Sequence, residues 1–171
     1  MDGKERRNQI VKILEAATEP LTGTALARQL GISRQVVVGD MAILRAAGIE
    51  IYATPRGYVI PAVRDDASIT AKLACAHNKE GMAEELGIII DHGGKVLDVI
   101  VEHSVYGEIK ANLMLASRRD LEDFLAQLSA SGAEPLSVVT GGTHLHTVRV
   151  PSEQVLKVIQ NRLRERHILL D

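Results

Sequence analysis

Gly141-Gly142-Thr143-His144-Leu145-His146-Thr147-Val148-Arg149-Val150 alternates from His144 onward and carries β-branched residues at every other step or so. That pattern predicts a strand, in which successive side chains point to opposite faces. His144 and His146, two apart, then share one face. Their rings lie close enough to hold one metal ion or one small anionic ligand. Gly141-Gly142 predicts a turn, so the pair sits at the mouth of its strand. We take it as the candidate sensing site.

The segments around this strand define the fold of the second half. Ser68 to His77 alternates at Ile69, Ala71, Leu73 and Cys75 and predicts a strand. Lys79 to His92 has helical spacing at Met82, Ala83, Leu86, Ile89 and Ile90. Lys95 to His103 and Gly107 to Leu115 predict two strands joined by a short turn. Ser117 to Ser131 is a second helix, with Leu121, Phe124, Leu125 and Leu128 inward and Gly132 as its stop. After the His144 to Val150 strand, Ser152 caps a last helix from Glu153 to Arg166. The order β-α-β-β-α-β plus a helix predicts a ferredoxin-like antiparallel α/β sandwich over residues 67–171, an α+β class.

The first 62 residues read differently. Lys4 to Ala17 is an amphipathic helix stopped by Glu19-Pro20. Thr22 caps a short helix, Gly23 to Leu30, closed by Gly31, and Ser33 caps a third from Arg34 to about Ala47. Short helix, glycine turn and helix make a helix-turn-helix, with Ala27, Leu30, Ile32, Val37, Met41 and Leu44 packed between its helices. Ser33, Arg34, Gln35, Val38 and Arg45 fall on or near the outer face of the third helix. Arg34 and Gln35 suit guanine or adenine edges, Val38 a thymine methyl, and Ser33 with the helix N-terminus a phosphate. Ile49 to Ala53 and Tyr58 to Ile60 flank Thr54-Pro55-Arg56-Gly57 and predict a hairpin wing, with Arg56 at its tip facing phosphate or the minor groove. The pieces together predict a winged helix-turn-helix that binds double-stranded DNA; a protein-binding helical domain is the alternative.

Composition agrees with a regulator. The net charge of −2 divides into 8 Lys/Arg against 6 Asp/Glu over residues 1–62 and 12 against 16 over residues 63–171. A mildly basic front and an acidic back suit a nucleic-acid-binding module joined to something else. Tyr52, Tyr58, Tyr106 and Phe124 are the only aromatics, which argues against stacking on single strands. The lone Cys75 excludes a disulfide framework and a four-cysteine zinc site. With no signal peptide and no long apolar run, the expectation is a cytoplasmic protein with no membrane partner. The polar stretch Pro61 to Asp66 is the expected joint between the domains.

Two imidazoles rarely hold a metal alone; three or four ligands are normal for zinc or nickel. His77, at the end of the first strand, and Glu85, in the following helix, are candidates to complete the set, with Glu84 competing for the acidic place. Spacing does not show that these side chains meet. His103 lies at a hairpin corner close to Tyr106 and lines a pocket or serves the turn. His92 and His167 read as structural or surface residues. Three functions stay open: a ligand-responsive regulator, a metal-responsive regulator in which the ion is the signal, and a metal-dependent enzyme. No Ser-His-Asp pattern is present, and Asp91, Asp98 and Glu102 occupy no assignable spacing, so sensing is favoured over turnover.

Ser33-Arg34-Gln35-Val36-Val37-Val38 with Ile43-Leu44-Arg45-Ala46-Ala47-Gly48 and the wing resembles the front of biotin-repressor-like regulators. Ala76-His77, Asp98 to Ile109 (with His103-Ser104-Val105-Tyr106-Gly107-Glu108) and Thr143 to Thr147 resemble the 3H domain. The combination is similar to the niacin-responsive transcriptional repressors of NAD biosynthesis and niacin uptake genes. The resemblance implies a homodimer on a palindromic operator, nicotinic acid as co-repressor, and a divalent metal, nickel or zinc, held by His77, Glu85, His144 and His146. His103, Tyr106 and Arg149 are then the candidate effector contacts, with Arg149 or Lys72 pairing the effector's carboxylate.

Overall fold

The computed structural model describes residues 2–61 and 67–171. The chain divides into two compact units, Met1–Val63 and Arg64–Asp171. From Ala62 onward the expected joint lies outside the described residues.

The first unit contains α1 (Gly3–Ala16), α2 (Gly23–Leu30), α3 (Arg34–Ala46), β1 (Tyr52–Thr54) and β2 (Gly57–Val59). Each helix starts where a side chain can replace the missing backbone acceptor. Asp2 takes the N–H of Glu5, Thr22 that of Ala25, and Ser33 that of Val36. Ile10, Leu26, Val37 and Met41, all fully buried, lock the three helices together. A buried acid adds direction to this core. Asp40 of α3 takes Arg6 Nε at 2.6 Å and Arg7 at 3.4 Å, tying α1 to α3. The hairpin is shorter than expected: Ile49–Ile51 is not strand, because Ile51 N–H bonds the Ile49 carbonyl and folds the chain there. Leu21 supplies a third strand position, exchanging both backbone bonds with Tyr58 at 2.8 and 3.0 Å.

The second unit contains β3 (Ile69–Ala76), α4 (Met82–Asp91), β4 (Lys95–His103), β5 (Gly107–Leu115), α5 (Arg118–Ser131), β6 (Thr143–Val150) and α6 (Glu153–Glu165). A single 3-10 turn, Lys79–Gly81, precedes α4, and another, Leu136–Thr140, precedes β6. The second was not expected, since Leu136-Ser137-Val138-Val139-Thr140 is rich in β-branched residues. The sheet is antiparallel throughout, in the order β3-β6-β4-β5. The β-α-β-β-α-β chain order is the expected one. Within it the strand positions are exchanged relative to a usual ferredoxin-like sheet: β3 lies toward the edge and β6 inside. This places β6 between β3 and β4, so its histidines are flanked on both sides.

One face of the sheet and α4, α5 and α6 enclose the core. Leu73, Val96, Val101, Leu115 and Val148 from the strands meet Leu86, Ile89, Leu121, Ile159 and Leu163 from the helices. The C-terminal tail protects the outer edge of β3: Ala76 N–H bonds the Ile168 carbonyl and Leu170 N–H the Ala74 carbonyl. Among the described residues no helix is long and apolar enough to cross a membrane.

Candidate metal centre and DNA-reading surface

The β3–β6 register sets the site. Leu73 pairs with His146 and Cys75 with His144, so these four side chains share the helix-covered face. β3 ends one residue later, and His77 N–H still bonds the Gly142 carbonyl at 3.5 Å. His77 therefore stands beside His144, with ring centroids 4.9 Å apart, and His144 beside His146 at 4.8 Å. α4 crosses above them and lowers Glu85, in its first turn, onto the rings. Glu84, by contrast, points outward and pairs with Arg166 at 3.2 Å. The register of α4 thus chooses Glu85 over Glu84.

The four side chains meet. His77 Nε2 lies 2.5 Å from Glu85 Oε2, His144 Nε2 2.9 Å from Oε1, and His146 Nε2 3.4 Å from Oε2. The ligand atoms of His77, Glu85 and His144 all lie within 4.8 Å of one another; His146 lies outside that tighter group. Glu85, His144 and His146 are buried, and the His77 side chain is 7% exposed, which makes it the group nearest to solvent.

Each ring is aimed from behind by main chain. His77 Nδ1 donates to the Asn78 carbonyl at 2.5 Å, His144 Nδ1 to that of Gly142 at 2.8 Å, and His146 Nδ1 to that of Asp98 at 2.7 Å. A carbonyl only accepts, so every Nδ1 carries its proton and every Nε2 of a neutral ring offers a lone pair. Three lone pairs and a carboxylate then face one another. Such a set is repulsive unless a cation lies among them, either shared protons or a metal ion. Nitrogen and oxygen donors held in this way fit zinc or nickel.

Electrostatics follow the same geometry. Burial alone would raise the Glu85 carboxyl, but hydrogen bonds from His144, His146 and His77 outweigh it and hold it well below its ordinary value. Burial works against charge on His77 and His146. The Glu85 hydrogen bond, with the Asn78 or Asp98 carbonyl, outweighs it and keeps both above the ordinary imidazole value. Cys75, buried beside Glu85, has its thiol pushed up by burial and then by that carboxylate. It is not a member of the group of converging ligand atoms.

Two glycines make room for His77. A Cβ on Gly142, whose φ is +106°, would meet the His77 carbonyl oxygen at 2.3 Å. A Cβ on Gly81 would meet His77 Cβ at 2.8 Å and its ring at 3.0 Å. Gly81, which by propensity only weakens the helix start, is there because the 3-10 turn packs directly on the ring.

The effector candidates fare unevenly. Arg149 is on the opposite face of the sheet from His144 and His146, and so is Lys72, which pairs with Thr147. β6 alternates without interruption, and an odd spacing from a histidine changes the face. The expectation that either pairs an effector held at the histidines is corrected accordingly. Arg149 pairs with Thr70 and Lys95, and its buried Nε finds no hydrogen-bond partner among the described residues. His103 and Tyr106 stay together at the β4–β5 corner, rings 5.1 Å apart. There His103 Nδ1 accepts the N–H groups of Val105 and Tyr106, so its proton lies on Nε2, the reverse of the tautomer in the site histidines.

On α3, Arg34 and Gln35 are exposed as expected, and the Ser33 hydroxyl is engaged as the cap. Val38 is half-buried; Val36, passed over in the sequence, is exposed at 38%. Arg45 is exposed on α3 but reaches back toward the wing. Its Nε donates to the Ile51 carbonyl at 2.8 Å and its guanidinium lies 5.5 Å over the Tyr58 ring, so it braces the wing. Arg56 is half-buried and pairs with Glu19 at 3.5 Å.

Comparison with known proteins agrees with this division. The 3H domain family matches residues 70–171, and a helix-turn-helix domain family matches residues 6–59. A Thermotoga maritima protein named as the probable transcription repressor NiaR is 39% identical over 168 residues, 98% of this chain and 95% of its own length. The Bacillus subtilis transcription repressor NadR is 36% identical over 170 residues, 98% of this chain and 94% of its own. With both domains matched in order and over a third of the residues shared along nearly the whole length, the chain belongs to the niacin-responsive family of transcription repressors, DNA-binding regulators rather than enzymes.

Proposed function

We propose that this repressor acts on NAD biosynthesis or niacin uptake genes, with nicotinic acid as co-repressor at a metal site formed by His77, Glu85, His144 and His146. The observation that carries it is the convergence of the cluster: three rings held at Nδ1 by carbonyls, so that each turns Nε2 toward one buried carboxylate. A bound nickel or zinc ion would offer an open coordination position to the pyridine nitrogen or carboxylate of the effector. The chain's own part is to orient. Glu85 supplies the negative charge, His144 and His146 form the rigid floor, and His77 stands at the entrance. The DNA-reading unit works as a homodimer on a palindromic operator, with half-sites spaced by the dimer. Effector binding shifts an existing equilibrium between DNA-competent and incompetent arrangements.

A second reading, in which the metal itself is the signal, draws on the depth of the cluster: three of its four side chains are buried. One experiment separates the two. Operator binding by the full chain is titrated with nickel or zinc and with chelator, each with and without nicotinic acid. Tight binding only with metal and nicotinic acid together supports the niacin reading. Metal alone being sufficient supports the metal-signal reading, and DNA affinity indifferent to both defeats each of them.

A further inference from the structure

β4 is irregular at one place only in its pairing with β6. Val96 faces Val148 and Asp98 faces Thr147, so Leu97 is an extra residue. On the other side Val96 faces Leu115 while Asp98 faces Asn112, and Met114 between them sits at a φ of 52°. A bulge re-aims the groups beside it, and a non-glycine residue at positive φ marks a place where the backbone is held under constraint.

Asp98 is the residue re-aimed. It is buried, 4% exposed, although its cross-strand partners Asn112 and Thr147 are half-buried. Its carboxylate accepts the N–H of Thr147 at 3.0 Å and lies 3.6 Å from Lys110 Nζ. Its main-chain carbonyl accepts His146 Nδ1 at 2.7 Å. A side-chain oxygen thus stands where a ladder carbonyl would stand, and the carbonyl it frees goes to the imidazole. One residue addresses both faces of the sheet: its carboxylate lies on one and the ring it fixes on the other.

We infer that Asp98 is a positioning residue for His146: its carboxylate holds the bulge open, and its carbonyl fixes the ring with Nε2 toward Glu85. Without an acceptor at this side chain, the Thr147 N–H recaptures the main-chain carbonyl, the bulge closes, and His146 loses the partner that sets its tautomer. Loss of such an outer partner typically weakens metal binding about 10- to 100-fold. That consequence for affinity rests on the metal reading above; the consequence for the ring does not.

The test compares D98A, D98S, D98N and K110A in the full chain. Nitrogen-15 histidine spectra of the metal-free protein report the tautomer of His146, and nickel titration reports affinity. D98N keeps an acceptor oxygen and is expected to keep the Nδ1–H form, with nickel affinity within about threefold of the parent. K110A is expected to do the same. D98A, and D98S with a hydroxyl too short to reach the Thr147 N–H, are expected to lose the Nδ1–H signature and 10- to 100-fold in nickel affinity. If D98A does not fold, D98S carries the comparison. An unchanged His146 signature in folded D98A or D98S overturns the inference, as does a loss in D98N equal to theirs. If the parent binds no nickel or zinc, the metal reading fails, and the ring spectra still decide the role of Asp98.

Discussion

His77 Nε2 and Glu85 Oε2 stand 2.5 Å apart, with the carboxylate fully buried and the ring at the solvent side. That contact ties protons and stability together. The lowered Glu85 value contributes stability that is present above the ordinary carboxyl value of 4.5 and lost as pH falls through the lowered one. The raised values of His77 and His146 contribute stability that is fully present below 6.5 and lost as pH rises through the raised ones. On the metal reading, a bound ion would displace those protons. Metal-free protein should therefore lose stability of the C-terminal unit as pH rises from below 6.5 through the raised histidine values, whereas apparent metal affinity should rise over the same range, by up to about tenfold per pH unit for each proton released. Thermal melts in chelator and calorimetry in buffers of different ionisation heat measure the two arms. Affinity that stays flat across this range would rule out displacement of histidine protons.

Gly81→Ala separates propensity from space. At the start of α4 the φ is −75°, ordinary for any residue, and alanine there should stabilise the helix by up to about 1 kcal/mol. The added Cβ, however, meets His77 Cβ at 2.8 Å. We expect the variant to fold, to melt no higher than the parent, and to bind nickel or zinc about tenfold more weakly because His77 is displaced. A variant that is more stable and binds metal normally would show that the packing of the 3-10 turn on His77 is incidental.

Arg45→Ala and Arg34→Ala should differ in kind. Arg45 bonds the Ile51 carbonyl and lies over Tyr58, so its removal should cost the DNA-reading unit about 1–2 kcal/mol and weaken binding on all sequences alike. Arg34 is exposed at the start of α3, and its removal should relax base preference, at about 1–3 kcal/mol for the affected position, with the melting temperature unchanged. Selection of binding sites from random duplexes, alongside melts, reads both. Changed sequence preference in the Arg45 variant would place that side chain in the groove after all.

The local signals in the chain were legible, and the long-range ones only in part. Thr22, Ser33, Ser117 and Ser152 start helices in the structure as their types predict, because a cap depends only on residues three positions away. The shared face of His144 and His146 follows from the period of a strand. That His77 and Glu85 join them depends on β3 lying beside β6 and on the rotation of α4, and neither is encoded within one window of sequence. Position along the chain offers His77 and Glu85 only as candidates, with Glu84 competing; the family resemblance implies the set, and the distances bring the four together. Asp98 had no visible role because a bulge is a property of paired strands. Arg45 lies on the side of α3 that periodicity turns outward, but its length lets it reach back to Ile51. Leu136–Thr140 has strand-like composition and folds as a 3-10 turn, since Pro135 precedes it and Gly141, at a φ of 66°, ends it.

Arg149→Ala tests the parity of β6. The uninterrupted alternation places Arg149 on the face away from His144 and His146, where its Nε is buried without a hydrogen-bond partner among the described residues. Removing an unsatisfied buried donor relieves a desolvation cost, while the loss of the aliphatic stem works the other way, so the net change in stability should be within about 1 kcal/mol. Metal affinity should stay within about twofold of the parent, because the Arg149 side chain points away from the four converging residues. His146→Ala, on the facing side, should lower affinity by at least about tenfold. Parallel nickel titrations of the two variants decide it: an Arg149 variant as impaired as the His146 variant would mean that the charge on the far face reaches the site through the sheet.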